Sequence, residues 1–301
     1  MRILFICDMH VGSIYGIAPK KYIRNIFQEW VLNYWNNTVL KLYNISYLVL
    51  GGDLIDGYSP KDTTSVWEND VDEQIKHAGK LLNPIIENNP DVKIAGIGGS
   101  KYHVSGGNRN SDKGVIDLLK GNFYKTYFPL NTPIGSIYFI HRSKNITTQL
   151  NELHLKNSKQ NANIRMLVGG HLHRVKYAGD DFIKIIHSPC WEYPTDFMGF
   201  GTPVSIGYVI IDVENEIQEK IISTTIPIEI ENQMQGNIGE ITEAEIQKYN
   251  QKQHELLSKK TGVSINSIVK IENKIKKNNI PYKIHEPINL IIKKKEKVKS
   301  W

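Results

Sequence analysis

Short apolar runs, most of them ending in Gly, Asp or His, constrain this chain more than any other feature. They occupy residues 2–7, 46–50, 92–97, 136–140 and 165–168. Runs of this length, rich in β-branched and aromatic residues, read as buried strands. Longer segments with helical spacing, 21–42 and 71–88, lie between the first of them, so the first half reads strand, helix, strand, helix, strand. Farther on, 182–187, 205–213 and 216–226 read as consecutive strands, the last two joined at Glu214-Asn215 as a hairpin or meander. A sheet-rich α/β domain over 1–226 is expected. With 40% hydrophobic and 23% charged residues, the 301-residue chain has the balance of a folded, water-soluble protein of one large domain and a smaller appendage.

Several classes are excluded on the same reading. No apolar stretch approaches the roughly 20 residues that span a bilayer, and residues 1–7 lack the pattern of a secretory signal, so no membrane partner and a cytoplasmic location are expected. Two cysteines, Cys7 and Cys190, allow neither a disulfide framework nor a Cys-rich zinc site. Charge is unevenly placed. Residues 240–301 hold 14 Lys against 7 Glu, a net +7, which leaves 23 basic and 24 acidic residues, a net −1, in 1–239. Residues 227–239, polar with Gly236 and Gly239, read as a linker to this basic, mainly helical segment. Within it a helix ending at Gly262, a second capped by Ser264, inward Ile268 and Ile271, and small Ser258 are similar to a helix-turn-helix. Lys270, Lys274, Lys276 and Lys277 would then meet a phosphate backbone, making nucleic acid the expected partner. The alternative is a pair of helices that packs on the larger domain or mediates self-association.

Metal-binding side chains collect at the strand ends. Asp8 and His10, two apart in extended chain, project to one side and can share an ion. Gly51-Gly52-Asp53 permits a sharp turn with space beside the carboxylate, suited to a ligand bridging two cations; a turn Asp that caps the next segment is the alternative. Asp56 reads as structural. His141 ends the fourth run, and Gly169-Gly170-His171-Leu172-His173 follows the fifth, with imidazoles that suit Zn, Mn or Fe. Cys7 reads as buried and inert. His187 and Cys190 read either as pocket lining or as a core histidine and a buried thiol, and Trp191 and Tyr193 as packing residues in preference to base-stacking ones.

Asp-x-His, Gly-Asp, a Gly-rich turn leading to His103, a strand-terminal His141 and Gly-His-x-His, in that order, resemble the calcineurin-like metallophosphoesterase superfamily over about residues 1–226. The resemblance implies a four-layer α/β/β/α sandwich with a dinuclear metal site at the strand ends. It implies Asp8, His10, Asp53 and His173 on one metal and Asp53, His141 and His171 on the second, with Asp53 bridging. The family usually has Gly-Asn-His at the third motif; here Gly98-Gly99-Ser100-Lys101-Tyr102-His103 stands there. This longer form is similar to phage and prophage members. Ser100, or a water, would replace the Asn, and His103 would contact substrate. The implied cofactors are two divalent cations, manganese first, with zinc, iron or nickel as alternatives. They would activate a bridging water as hydroxide, with Asp53 and His103 at the catalytic centre. The expected activity is a phosphodiesterase or nuclease acting on nucleic acid. The alternatives are a small-nucleotide phosphodiesterase or phosphoprotein phosphatase, and a DNA-binding or scaffold protein on a decayed phosphoesterase fold.

Overall fold

The computed structural model describes residues 1–57, 66–100, 103, 111–141, 145–160, 162–195, 203–238, 258 and 264. The chain divides into two units, Met1–Met234 and Gln235–Trp301. In the first, β1 (Arg2–Ile6), α1 (Ile26–Thr38), β2 (Tyr47–Leu50), α2 (Val71–Asn88) and β3 (Lys93–Ile97) follow in the order expected from the sequence. Then come α3 (Ser111–Leu118), β4 (Asn122–Tyr124), β5 (Tyr127–Thr132), β6 (Gly135–Ile140), α4 (Ile146–Gln160) and β7 (Ile164–Gly169). The described elements close with β8 (Lys176–Gly179), β9 (Lys184–His187), β10 (Ile206–Val213), β11 (Ile217–Thr224) and α5 (Ile228–Ile238).

Two sheets form, one in the order β11-β10-β1-β2-β3-β4 and the other β5-β6-β7-β9-β8. Their layering follows from side-chain alternation along each strand. In β1, Leu4 and Ile6 face one way, into a core with Phe27, Val31 and Trp35 of α1 and Leu81, Leu82 and Ile85 of α2. Ile3 and Phe5 face the other way, against Ile137 and Phe139 of β6 and Met166 and Val168 of β7. The rings of Phe5 and Phe139 stack across this inter-sheet core at 5.6 Å. The outer face of the second sheet, Leu167, Ile183 and Ile185, is covered by Leu153 of α4. Helices, sheet, sheet, helix: the protein is a four-layer α/β/β/α sandwich.

The strand expected at 182–187 forms as β9, which pairs parallel with β7 in the second sheet, while β10 crosses to pair antiparallel with β1 in the first. β9 is covered on both faces, with Ile185 outward and Ile186 inward. The hairpin β10–β11 forms as expected. Residues 228–238, read as linker, are helical, and Ile230 and Met234 are 7% and 4% exposed in the first core, so apolar burial overrides the polar composition. The segment read as helix over 21–42 is α1 flanked by two short 3-10 turns, its start fixed by Asn25, whose side chain accepts from the Gln28 N–H.

Of the basic segment, Ser258 and Ser264 are described; Lys270, Lys274, Lys276 and Lys277 lie outside the described residues, as does the proposed bend. No helix among the described residues is long and apolar enough to cross a membrane.

Candidate metal centre

Strand register sets the site. Ile6 pairs with Leu50 and Leu50 with Gly96, so β1, β2 and β3 end level with one another. In the second sheet Ile140 pairs with Gly169 and Gly169 with His187, so β6, β7 and β9 also end level. The loops after these strands carry Asp8 and His10, Asp53, Ser100 and His103, His141, and His171 and His173. They are laced together by backbone bonds: the Asp8 N–H donates to the Gly52 carbonyl at 3.0 Å and the His10 N–H to the Asp53 carbonyl at 3.1 Å.

Five of these residues occupy the left-handed backbone region, with φ of 52° at Asp8, 46° at His10, 48° at Asp53, 73° at His171 and 53° at His173. Non-glycine residues adopt this conformation at a cost, and such strain clusters at functional sites. Glycines supply the remaining room. A Cβ on Gly52 would lie 2.7 Å from Gly99 Cα, and one on Gly170 would lie 2.8 Å from Asp8 Oδ2.

The side chains converge in two main groups, Asp8 with His10 and His173, and Asp53 with His141 and His171; His10, Asp53 and His103 form a third, overlapping group. Asp8, His10, Asp53 and His141 are each at most 2% exposed. Asp8 Oδ1, both His10 nitrogens, His141 Nε2 and His173 Nδ1 are buried without a hydrogen-bond partner. Buried polar atoms are nearly always satisfied. Asp8 Oδ1, both His10 nitrogens and His141 Nε2, left unsatisfied within the two sets of three, fit divalent cations. The outer atoms of the ligands are already held: His141 Nδ1–H donates to the Gly51 carbonyl at 2.8 Å, which leaves Nε2 beside Asp53 Oδ2 at 2.9 Å. Asp8 Oδ2 accepts the His171 N–H at 2.9 Å and Asp53 Oδ1 the Ser100 N–H at 2.7 Å. Ser100, in the Asn-less motif, therefore touches Asp53 through its backbone, while its buried hydroxyl has no partner.

Electrostatics couple the groups. Burial alone would raise the Asp53 carboxyl, but the charge and hydrogen bond of His141 hold it well below its ordinary value. Burial likewise opposes charge on His141, and Asp53 and Asp8 overcome it, raising the ring to about 9. Burial and the neighbouring His141 lower His171. Metal ligation requires neutral imidazole, so a cation held by His141 would have to displace its proton in the range below about 9. The apparent affinity for Zn²⁺ is expected to rise between pH 6 and pH 9, by up to about tenfold per unit for each proton released; chelator-competition titrations at several pH values read this directly, and a flat profile would contradict it.

His103 lies at the rim, its side chain 26% exposed. Its Nδ1–H donates to the Asp56 carbonyl at 2.8 Å, and its Nε2 is 4.0 Å from Asp53 Oδ2. Asp56 approaches both His10 Nδ1 at 3.6 Å and His103 Nδ1 at 3.4 Å, so it supports these rings as well as the turn. His187 is buried, its Nε2 meeting the Gln149 Oε1 at 3.3 Å, and burial with nearby Lys176 lowers its pKa to about 4. Cys7 and Cys190 are fully buried, with thiols pushed up by desolvation. Trp191 packs edge-on against Trp35 at 4.7 Å and Tyr193 against Phe27 at 5.4 Å, both within the first core, which excludes base-stacking.

Two carboxylates at the site escaped sequence reasoning. Glu192 is 3% exposed beside His10 and His173. Asp112, at the start of α3, accepts the Leu54 N–H at 2.9 Å on Oδ1 and the Gly99 N–H at 2.7 Å on Oδ2, clamping the turns after β2 and β3 together. Burial and the Asp53 charge raise it to about 6. Neither follows a glycine turn or sits in a spaced motif; the available signal for Glu192 is its place between two buried aromatics. Asp112→Ala orphans two N–H groups and is expected to cost about 3 kcal/mol of stability, read as a lowered denaturant midpoint at constant m-value.

No protein-family model and no curated protein matches the chain. Solved structures do. Vps29 from Chaetomium thermophilum is 14% identical with a TM-score of 0.40, over 75% of this chain and 97% of that one. An archaeal phosphodiesterase is 13% identical with a TM-score of 0.40, over 74% of this chain and 100% of that one. A protein of Streptococcus pneumoniae described as a predicted phosphoesterase is 13% identical with a TM-score of 0.35, over 75% of this chain and 96% of that one.

Proposed function

We propose that the protein is a metal-dependent phosphoesterase, acting as a phosphodiesterase on nucleic acid. One observation carries the reaction class: oxygen and imidazole atoms of Asp8, His10 and His173 and of Asp53, His141 and His171 converge in two sets, with Asp8 Oδ1, both His10 nitrogens and His141 Nε2 buried without hydrogen-bond partners. Asp8, His10, Asp53 and His173 would hold one cation and Asp53, His141 and His171 the other, with Ser100 Oγ adjoining; manganese is the first choice and zinc the second. Bound there, divalent cations supply Lewis acidity towards a phosphoryl oxygen and lower the pKa of water to yield the nucleophile.

The chain's own residues supply orientation and a proton. Gly51 and Ser100 fix His141 and Asp53, so the atoms that would hold the cations, whose charge would receive a phosphoryl oxygen, are arranged before substrate arrives. Burial would discharge His103, but its hydrogen bond to Asp56 and the Asp53 charge raise it to about 10 in the metal-free protein, so it carries a proton at neutral pH. With Nδ1–H committed to the Asp56 carbonyl, Nε2–H is the atom that stabilises a phosphoryl oxygen or protonates the leaving oxygen.

The nucleic-acid substrate is supported by the +7 charge of residues 240–301 and by the helix-turn-helix-like pattern around Gly262, with Lys270, Lys274, Lys276 and Lys277 towards phosphate. Deleting 240–301 is expected to weaken DNA binding and flatten its salt dependence while sparing hydrolysis of a small chromogenic diester. The comparison is Mn²⁺-dependent cleavage of end-labelled single- and double-stranded DNA by the full and shortened chains. Hydrolysis of the small diester alone would redirect the substrate towards nucleotides, and DNA affinity unchanged by truncation would remove the role of the basic segment.

A further inference from the structure

Residues 190–193 pass directly behind the metal-ligand cluster. The Trp191 N–H donates to the Asp8 carbonyl at 2.9 Å and the Tyr193 N–H to the Tyr15 carbonyl at 2.8 Å, so both neighbours of Glu192 are tied to the chain that carries Asp8 and His10. Trp191 and Tyr193 enter the apolar core, 0% and 3% exposed, and Glu192 takes the opposite side. A carboxylate so buried requires a partner to offset its lost hydration. The groups that meet it are imidazoles: Oε2 lies 3.2 Å from His173 Nδ1 and 3.4 Å from His10 Nε2.

Resting on the metal-centre reading above, the geometry points to Glu192 as a positioning residue of that centre: with Oε2 3.2 Å from His173 Nδ1, its carboxylate is placed to take the Nδ1–H when Nε2 binds a cation beside Asp8. The other end of the ring agrees with this, since His173 Nε2 is 3.4 Å from Asp8 Oδ1. The arrangement is a carboxylate–histidine pair of the kind that fixes the tautomer of a ligand ring and raises its basicity. It gives the two halves of the centre different supports. His141 Nδ1 is held by a neutral carbonyl, that of Gly51, whereas His173 Nδ1 faces the Glu192 carboxylate. The Asp8/His10/His173 position is therefore the more electron-rich and binds a cation more tightly than the Asp53/His141/His171 position.

The test uses the full chain, labelled with ¹⁵N-histidine and loaded with Zn²⁺, a diamagnetic ion. Ring-nitrogen spectra are expected to give His173 as the Nδ1–H tautomer with a strongly downfield proton; an Nε2–H tautomer overturns the assignment. In Glu192→Gln, which keeps size but removes charge, chelator competition is expected to weaken one zinc step by about 10–100-fold and leave the other within about twofold, with partial recovery in Glu192→Asp. If Glu192→Gln does not fold, the tautomer of the unaltered protein decides alone. Both zinc steps unchanged in a folded Glu192→Gln overturn the role of Glu192 only; no zinc uptake by the unaltered protein overturns the metal-centre reading and this inference with it.

Discussion

Asp53→Asn is expected to abolish hydrolysis of a small phosphodiester, by well over the 10–100-fold that loss of an outer partner costs, while leaving the fold intact. Asn has the same shape and keeps an oxygen to accept the Ser100 N–H, which Asp53 Oδ1 now accepts at 2.7 Å. What disappears is the charge beside His141 and within the His10/Asp53/His103 group: Oδ2 lies 2.9 Å from His141 Nε2 and 4.0 Å from His103 Nε2. A bridging carboxylate neutralises two cations at once, and a neutral amide does so poorly. Turnover at saturating Mn²⁺, followed beside the far-UV spectrum of the same preparation, checks the expectation. Turnover retained at the wild-type rate would mean that the chemistry takes place elsewhere.

Gly52→Ala is expected to damage both stability and metal binding. Gly52 has a φ of 91°, a conformation that an L side chain resists, and its added Cβ would lie 2.7 Å from Gly99 Cα and 2.9 Å from His141 Nδ1. On one side is backbone, which Asp112 holds in place through the Gly99 N–H; on the other is a ligand ring bonded to the Gly51 carbonyl. Neither can retreat without moving a ligand. Backbone strain of about 1–2 kcal/mol and overpacking of about 1–3 kcal/mol together suggest about 3 kcal/mol. For a domain of this size that is a fall of about 6–12 °C in melting temperature. Metal affinity should fall with it, because the His141 ring must turn to accommodate the methyl group. A thermal melt and a zinc titration read the two effects separately, and a variant with unchanged melting temperature and affinity would mean that the turn is not a cradle.

Much of the fold was legible because its inner strands are buried on both faces. β1, β2, β3, β6, β7 and β10 appear as uninterrupted apolar runs, and their order with α1 and α2 follows from them. The peripheral elements were not legible. β5 carries Pro129 at the edge of the second sheet, β8 alternates half-buried and exposed residues, and α4 buries little beyond Gln149 and Leu153, so none produces an apolar run. The partner of β9 was not legible, because an apolar run identifies a strand but not the sheet it joins. Within the site, residues marked by glycine turns and by spacing of two, Asp8, His10, Asp53, His171 and His173, could be found from sequence alone. Their own left-handed backbone could not, since the reading took Asp8 and His10 as extended chain and assigned the other sharp turns to neighbouring glycines. Glu192 and Asp112 remained hidden because each reaches the site through tertiary contacts rather than a local pattern.

The proposed two-cation centre at these strand ends is tested most directly by metal content per chain after loading metal-free protein with Mn²⁺ or Zn²⁺ and removing the excess, with Asp53→Asn treated in parallel. Close to two equivalents per chain, reduced in the variant, is the predicted result. Failure to retain either metal under any loading condition would contradict the account and leave a phosphoesterase-like scaffold without its chemistry.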